Sequence, residues 1–597
     1  MNHNRTNRYM PILMAASVVI GIAIGTFYTN HFSGNRLNII NSGSNRLNNL
    51  LHIIDDQYVD NVNIDSLVEK AIPQILAELD PHSVYISAKD VQAANDDLKG
   101  SFSGAGIEFT IREDTIHVQN VIKNGPADRA GILAGDKIVM IDGKKFVGKM
   151  VTNEEAMHRL KGPKDTKVQI GIARFGHHNI QQFIVTRGEI PQKTITATYM
   201  IDDNTGYIRI SKFGETTYPE MLISLAQLSQ QGFSNLIIDL RDNTGGYLKS
   251  AVQMANEFLP KNKLIVYTQG RKSPRQDYRS DGHGSYQSIP LIVLINEGSA
   301  SASEIFSGAM QDNDRATIIG RRSFGKGLVQ QQIDFPDGSM IRLTVARYYT
   351  PSGRCIQKPY TSGEDPNYEQ DMLSRYQHGE FFSQDSIKHT GPAYHTNHGR
   401  TVYGGGGITP DIFVPEDTLN MTSYYKEASM SGLILQYAFT YTDDNRPKLN
   451  NFKDMTEMVK YMNRQNIVEK FAIYADKHGL RKRNLMIRKS HKLLERYINS
   501  RIIYNILDEE AWTEYINMDD PVISKALHVF KRHAAFPKKP KATAEFRKTA
   551  NIYRWHNIQS LHFEGGYFTE DMPLVIPFIT TATEPILYNV LHRHGKS

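Results

Sequence analysis

The sequence predicts a multidomain α/β protein, and three observations carry that expectation. Its 597 residues exceed what one compact core holds, so at about 100–200 residues per domain several units are expected. Between Thr194 and Pro415, short apolar runs alternate with amphipathic stretches, the pattern of a largely parallel sheet with helical crossovers. Beyond Pro415, and again before residue 97, apolar residues recur at three- and four-residue steps, as they do in helices. Hydrophobic residues make up 40% and charged residues 22%, which excludes a chain disordered throughout. With 69 Lys and Arg against 63 Asp and Glu, the net charge of +6 is too mild to mark a nucleic-acid binder. The single cysteine, Cys355, excludes an internal disulfide framework, a CxxC zinc site and an iron–sulfur cluster.

The first element is apolar. Polar residues that include Arg5 and Arg8 precede a run without charge from Met10 to Tyr28. A membrane-spanning helix needs ~20 apolar residues, and the preceding positive charge would stay in the cytoplasm. A cleaved signal peptide is the competing reading. The length of the run and the lack of a small-x-small site before Thr29 favour an uncleaved anchor over residues 1–30, with everything after it outside the cytoplasm. A helical segment follows over 31–97. Leu50, Leu51, Ile53 and Ile54 share one side of a short stretch, and Leu67, Ala71, Ile72, Ile75 and Leu76 repeat the spacing. Leu79-Asp80-Pro81-His82-Ser83 stops it. Such a unit suits packing or dimer formation.

Residues 98–190 change to short β-like runs separated by turns. Thr152 is placed to cap a helix reaching Leu160, with Glu155 three residues on. In order stand Gly104-Ala105-Gly106-Ile107-Glu108-Phe109, then Asn124-Gly125-Pro126-Ala127-Asp128-Arg129-Ala130-Gly131-Ile132, then Gly135-Asp136 and Asp142-Gly143. This ordered set resembles a PDZ domain. The resemblance implies a groove between a strand and a helix, where a peptide adds as an extra strand and loop amides capture its terminal carboxylate. Gly104, Ala105, Gly106 and Ile107 would form that loop; Gly104 and Gly106 let the backbone approach an anion closely.

Over 191–415 the spacing predicts strands at Thr205–Ile210, Asn235–Leu240, Leu264–Thr268, Ile289–Ile295 and Thr317–Gly320, and helices at Tyr218–Gln231, Tyr247–Leu259 and Ser301–Gln311. Leu328–Phe335 and Ser339–Tyr348 form a hairpin across Pro336-Asp337-Gly338. A helical region over 416–540 follows, with helices at Tyr424–Tyr441, Phe452–Ala475 and Asn484–Leu507. The basic run from Lys477 to Lys492 reads as a solvated helix face. Residues 541–597, after Lys538-Lys539-Pro540-Lys541, carry no motif.

Three strand ends hold residues suited to one chemistry. The apolar strand ending at Ile295 runs into Asn296-Glu297-Gly298-Ser299-Ala300-Ser301-Ala302-Ser303-Glu304 and then a helix. Small residues at such a turn leave a hydroxyl beside the positive end of the helix dipole, where free N–H groups would stabilise an anion. Helix capping by serine is the plain alternative. Arg321-Arg322-Ser323-Phe324-Gly325-Lys326-Gly327 follows the strand ending at Gly320. A lysine between glycines can enter a tight site where burial leaves it neutral, as a general base. Asp239-Leu240-Arg241-Asp242-Asn243-Thr244-Gly245-Gly246 closes a third strand, and its glycine amides are candidate oxyanion donors beside that of Ala302. In an α/β sheet, ligands bind at the carboxyl ends of the strands.

At these residues the chain resembles the carboxy-terminal processing, or tail-specific, proteases. The likeness covers roughly residues 37–415, with the anchor before them. It implies a serine endopeptidase that cleaves unfolded or tagged proteins near their C-termini after PDZ recognition of the tail. It implies Ser301 as nucleophile, Lys326 as base, Gln330 as the residue orienting the lysine, and Asp312 as a supporting residue. It places the oxyanion donors at Gly245 or Gly246 and at Ala302. No cofactor or metal is called for. The implied partners are protein substrates with free, apolar C-termini, the membrane through the N-terminal helix, a second copy of the chain and an adaptor, with the catalytic domains on the periplasmic side of an inner membrane. Two rival enzymes fail on residues: Gly327 stands where a nucleotide-binding loop needs Ser or Thr, and no His-Glu-x-x-His occurs among 21 histidines. A catalytically inactive PDZ scaffold is the rival outside enzymology.

Overall fold

A computed structural model describes residues 14–16, 18–21 and 43–532, apart from short breaks at 113, 149–150, 175–176, 178, 364–365 and 390. The anchor expected over residues 1–30 lies largely outside the described residues, and the 541–597 extension lies wholly outside them. Among the described residues no helix is long and apolar enough to cross a membrane. The chain divides into two compact units, 1–76 and 77–597. The first holds the helix Gly43–Gln57 and nearly all of Ile64–Ala77.

Within the second unit, an antiparallel sheet runs in the order Ile107–Arg112, Thr115–Val121, Lys137–Ile141, Lys167–Ala173, Gln181–Thr186. Its core is aliphatic: Ile116, Val118, Ile138, Ile170, Ile172 and Val185 are fully buried. The helix Asn153–Leu160 begins where Thr152 Oγ1 accepts from the Glu155 amide at 3.1 Å, the cap expected from sequence. Ile107–Arg112 is an edge strand, and Gly104–Gly106 leads directly into it. At its far end Arg112 donates to Thr440 Oγ1 at 2.8 Å and stacks on Phe439, so the sheet leans on the helix Leu433–Leu449.

The central sheet has six strands in the order Ile195–Asp202, Thr205–Ile210, Asn235–Asp239, Leu291–Ile295, Thr317–Gly320, Ile412–Phe413. The first pair is antiparallel and every later pair is parallel. Successive side chains alternate between faces. Ile208, Ile238, Val293 and Ile318 pack under the helices Thr217–Gln230, Leu248–Phe258 and Ala302–Asp312. Tyr207, Ile237, Ile292 and Ile319 face the other way, onto Val522, Ile523, Ala526, Val529 and Phe530. A parallel sheet must be covered on both sides, and here the helix Pro521–Lys531, the last among the described residues, supplies that cover.

Two expectations are corrected. Leu264–Gln269 is not a member of the parallel sheet. It pairs antiparallel with Met340–Tyr349 in a second, five-stranded sheet that also holds Val84–Ile86, Leu328–Asp334 and Gln276–Arg279. Its burial is interrupted, whereas Leu291–Ile295 is buried along its whole length, and only the latter suits a strand covered on both faces. The long C-terminal helices also break. Tyr424–Tyr441 splits at Gly432, which is left-handed at φ 71°, and Phe452–Ala475 splits at Asn466, left-handed at φ 50°. The 3.6-residue spacing continues across both breaks, so periodicity alone does not mark them.

Candidate active site

Three neighbouring parallel strands, Asn235–Asp239, Leu291–Ile295 and Thr317–Gly320, end on the same edge of the sheet. The three loops singled out in the sequence therefore meet. Ser299 Oγ donates to the Leu240 carbonyl at 2.7 Å, the Ala300 amide to the Asn243 carbonyl at 2.9 Å, and the Phe324 amide to the Ser299 carbonyl at 2.9 Å. Asn296 Nδ2 donates to Asp242 Oδ1 at 2.7 Å, closing the first two loops further.

Ser301 occupies the N-cap position of the helix Ala302–Asp312 but does not cap it. Among the described residues its Oγ has no hydrogen-bond partner, and it is fully buried. Its backbone is left-handed, φ 59° and ψ −113°, a conformation that costs a non-glycine residue on the order of 1–3 kcal/mol. Such strain is held only where surroundings over-determine it. Gly245 explains part of this: a Cβ there would stand 2.6 Å from Ser301 Cβ and 3.0 Å from the Ala302 nitrogen, and its φ of 108° also favours glycine.

Lys326 is 1% exposed. Burial pushes its amine down to about 7; the charges of Asp80 and Glu304 act in the opposite sense, and Arg342 adds to the lowering. The lysine is thus poised to be neutral near physiological pH.

The residue that joins the two is Glu304, which stood in the serine run but had no role assigned from sequence. Its Oε2 accepts the Ser301 amide and the Lys326 amide, each at 2.8 Å. Its Oε1 accepts Ser323 Oγ at 2.5 Å and the Gly325 amide at 2.8 Å. Burial pushes this carboxyl up to about 7, while the four donors favour its charged form. Tyr348 adds a second tie, its hydroxyl reaching the carbonyls of both Ser301 and Lys326. A signal for Glu304 existed in the Ser-x-x-Glu spacing of a capping box; only half of that box forms, and the serine hydroxyl is left over. Glu304→Gln would set an NH₂ against buried N–H donors, and an unsatisfied buried group costs about 1–3 kcal/mol. It is expected to lower the melting temperature and to cut peptide hydrolysis about a hundredfold, measured by thermal unfolding and by kcat/KM on one substrate.

The remaining expected residues are placed as follows. The Gly245 amide is committed to Asn243 Oδ1 at 2.9 Å. Gly246 lies beside the Phe213 main chain, which accepts from Tyr247 rather than from Gly246. The Ala302 amide is in the first turn, where no intrahelical partner exists. Gln330 is fully buried, but its Nε2 is turned to the His82 carbonyl and its Oε1 accepts no hydrogen bond among the described residues. The resemblance implies that Gln330 orients the lysine; its amide oxygen accepts no hydrogen bond from Lys326 among the described residues. Asp312 is at the opposite end of the helix from Ser301, in a buried pair with Arg354 at 2.7 Å, and accepts Ser352 Oγ at 2.7 Å. It fixes the turn after Met340–Tyr349. In the loop before the edge strand, Ala105 and Gly104 are buried, Gly106 has φ 75°, and the Ala105 amide donates to the Leu160 carbonyl at 3.1 Å.

Comparison with known proteins agrees with this geometry. The model of Peptidase family S41 matches residues 204–370, that of the PDZ domain matches 104–183, and a family of unknown function matches 424–508. A carboxy-terminal-processing protease of Bartonella bacilliformis is 39% identical over 318 residues, covering 52% of this chain and 72% of its own length. A carboxyl-terminal-processing protease of Synechocystis is 37% identical over 296 residues, 48% of this chain and 68% of that one. The carboxy-terminal processing protease CtpA of Bacillus subtilis is 33% identical over 328 residues, 54% of this chain and 69% of that one. The strand-end loops, the antiparallel sheet with its edge strand and these likenesses converge: this chain belongs to the carboxy-terminal processing serine proteases of peptidase family S41 and carries a PDZ domain.

Proposed function

We propose that the protein is a Ser/Lys endopeptidase that cleaves unfolded or tagged proteins near their C-termini after its PDZ domain takes hold of the tail. One observation carries this reading. The main chains of Ser301 and Lys326 are bound to a single carboxylate oxygen, with the serine hydroxyl unpartnered and the lysine buried. In the first step neutral Lys326 takes the Ser301 proton as Oγ bonds to the scissile carbonyl carbon. The oxyanion is received by the amides of Gly246 and Ala302, since that of Gly245 is occupied. The lysine then returns its proton to the leaving amine, and water, deprotonated by the same lysine, releases the acyl group. The PDZ domain, in which Ile107–Arg112 is an edge strand, takes the tail as an added strand and feeds an extended chain inward. An anchor before residue 30 would keep this activity at the outer face of an inner membrane.

Burial of Ser301 Oγ makes this a closed state, so tail binding must open it. The test is acylation of Ser301 by a serine-directed probe, with and without a peptide ending in a free apolar carboxylate. Labelling at Ser301 that rises at least about threefold with the free-acid peptide, and not with its amide, supports the reading. Failure to label under any of these conditions favours the inactive scaffold, for which the closed hydroxyl is the one supporting observation.

A further inference from the structure

The helix Leu433–Leu449 has two different faces. At about 3.6 residues per turn, Ile434, Tyr437, Ala438 and Tyr441 share one side and enter the core of the helical region. Phe439, Asp443 and Arg446 follow at steps of four and three and share the opposite side. Phe439 is nevertheless only 5% exposed, and the PDZ domain is what covers it. The Arg112 guanidinium lies 5.3 Å from the centre of its ring, the His117 imidazole meets it edge-on with centroids 6.3 Å apart, and Arg112 donates to the adjoining Thr440 Oγ1 at 2.8 Å. Two turns along, Arg446 pairs with Asp443 at 3.0 Å and lies against Gly135, where an added Cβ would stand 3.0 Å from its Nε. On the PDZ sheet Ile111, Ile116 and Val118 turn towards the core, so Arg112 and His117 face outwards. The helix Asn153–Leu160 puts Ala156 and Leu160 into that same core. The helical region therefore backs the sheet on the face away from the tail-binding side.

The same helical body grips the catalytic sheet. Trp512 and Tyr515, on the helix Glu509–Asn517, pack against the core that holds Tyr437 and Tyr441. From that helix Glu510 Oε2 accepts the Thr198 amide at 2.9 Å, Asn517 Nδ2 donates to the Tyr199 hydroxyl at 2.8 Å, and the Trp512 ring lies 5.4 Å from the Arg209 guanidinium. Thr198 and Tyr199 belong to Ile195–Asp202, the edge strand of the central sheet. We propose that the helical region, most of which matches the family of unknown function, is a clamp that fixes the PDZ domain to the catalytic sheet in the closed state, with Phe439 as its fastening point. This rests on the tail-gated reading above. The state in which Phe439 is covered is the one in which Ser301 is buried. A contact made in that state and given up on opening holds the population closed by the difference. A PDZ sheet has no need of such cover for its own stability, since an antiparallel sheet can leave one face to water.

The sign of the effect follows. Undoing the clamp shifts the population towards the open state before any tail binds. The experiment is acylation of Ser301 in the full chain by the serine-directed probe, with and without the free-acid peptide, for wild type, Phe439→Ala, Phe439→Leu and His117→Ala. Without peptide, Phe439→Ala should label at least about threefold faster than wild type, near the rate that wild type reaches with peptide, and peptide should then add little. Phe439→Leu keeps an apolar side chain in the contact and should stay close to wild type. His117→Ala weakens the contact from the PDZ side and should move in the direction of Phe439→Ala; it decides the matter if Phe439→Ala does not fold. Labelling without peptide that is unchanged or slower in both alanine variants overturns the proposal, because the contact is then structural alone. Amide hydrogen exchange supplies a readout independent of acylation: residues 115–121 and 433–449 should exchange faster in Phe439→Ala, and in wild type once peptide is added. No labelling in any protein, with exchange rising as expected, removes the Ser/Lys reading and keeps the clamp. Peptide-dependent labelling with unchanged exchange and an unchanged basal rate in Phe439→Ala removes the clamp alone.

Discussion

Ser301→Ala should leave a folded protein that no longer hydrolyses peptides, with kcat reduced by at least about 10³-fold. The fold should hardly notice, because Oγ makes no hydrogen bond among the described residues and the backbone ties at this residue run through its amide and carbonyl. The companion variant is Lys326→Met rather than alanine. Alanine would open a cavity in place of a fully buried stem, at about 2–5 kcal/mol. Methionine keeps the volume and removes an amine whose charging burial already disfavours. The protein should therefore stay folded while hydrolysis is lost to the same degree as in Ser301→Ala. Peptide turnover and thermal unfolding on the same preparations check this. A Lys326→Met protein that turns over substrate at the wild-type rate would end the Ser/Lys assignment.

The sequence was most legible where one physical demand acts on adjacent residues. Strands such as Asn235–Asp239 and Thr317–Gly320 are continuous apolar runs because both faces are covered. Their loop ends show themselves through small residues and glycines that close approach requires: a Cβ on Gly246 would stand 2.1 Å from the Phe213 carbonyl oxygen. What stayed hidden depends on partners far along the chain. Glu304 reads as an ordinary second half of a capping box until Ser323, Gly325 and Lys326 fold against it. Gln330 was placed near the site by the family resemblance, yet its amide partner, the His82 carbonyl, lies 248 residues away. The strand Ile195–Asp202 was likewise not separable from its surroundings, since five of its eight residues are only partly buried and its Thr and Tyr residues give little contrast.

The helix Pro521–Lys531 gives the second large effect. Ending the chain at Asp519 should yield protein that does not fold in soluble form, although every residue of the three strand-end loops remains. The helix Pro521–Lys531 sets Val522, Ile523, Ala526, Val529 and Phe530 against the sheet face formed by Tyr207, Ile237, Ile292, Leu294 and Ile319. Each large apolar side chain so buried is worth about 1.5–3 kcal/mol, and four of them rival the whole stability of about 5–15 kcal/mol expected for a domain. The same end of the helix is wired to the active site. Asp520 caps the helix through the amides of Val522 and Ile523 and pairs with Arg241 at 2.6 Å. Arg241 also grips Asp239 at 2.6 Å, where Tyr207 donates a further bond of 2.7 Å. Burial would raise the Asp239 carboxyl, but Arg241 holds it below its usual range, so the ion pair stays charged at the root of the loop that bears Gly245 and Gly246. Two point variants grade the effect without deleting the chain. Phe530→Ala should cost about 3–5 kcal/mol by opening a cavity against the sheet. Asp520→Ala, which loses a cap and one arm of a mostly buried ion pair, should cost about 3 kcal/mol, and it should lower kcat more than KM because the Arg241 loop loosens. Equilibrium unfolding in denaturant, with turnover measured beside it, tests each. A chain ending at Asp519 that unfolds at the wild-type denaturant midpoint would show that the sheet needs no cover on that face, against the burial of Ile237 and Ile292 on which the expectation stands.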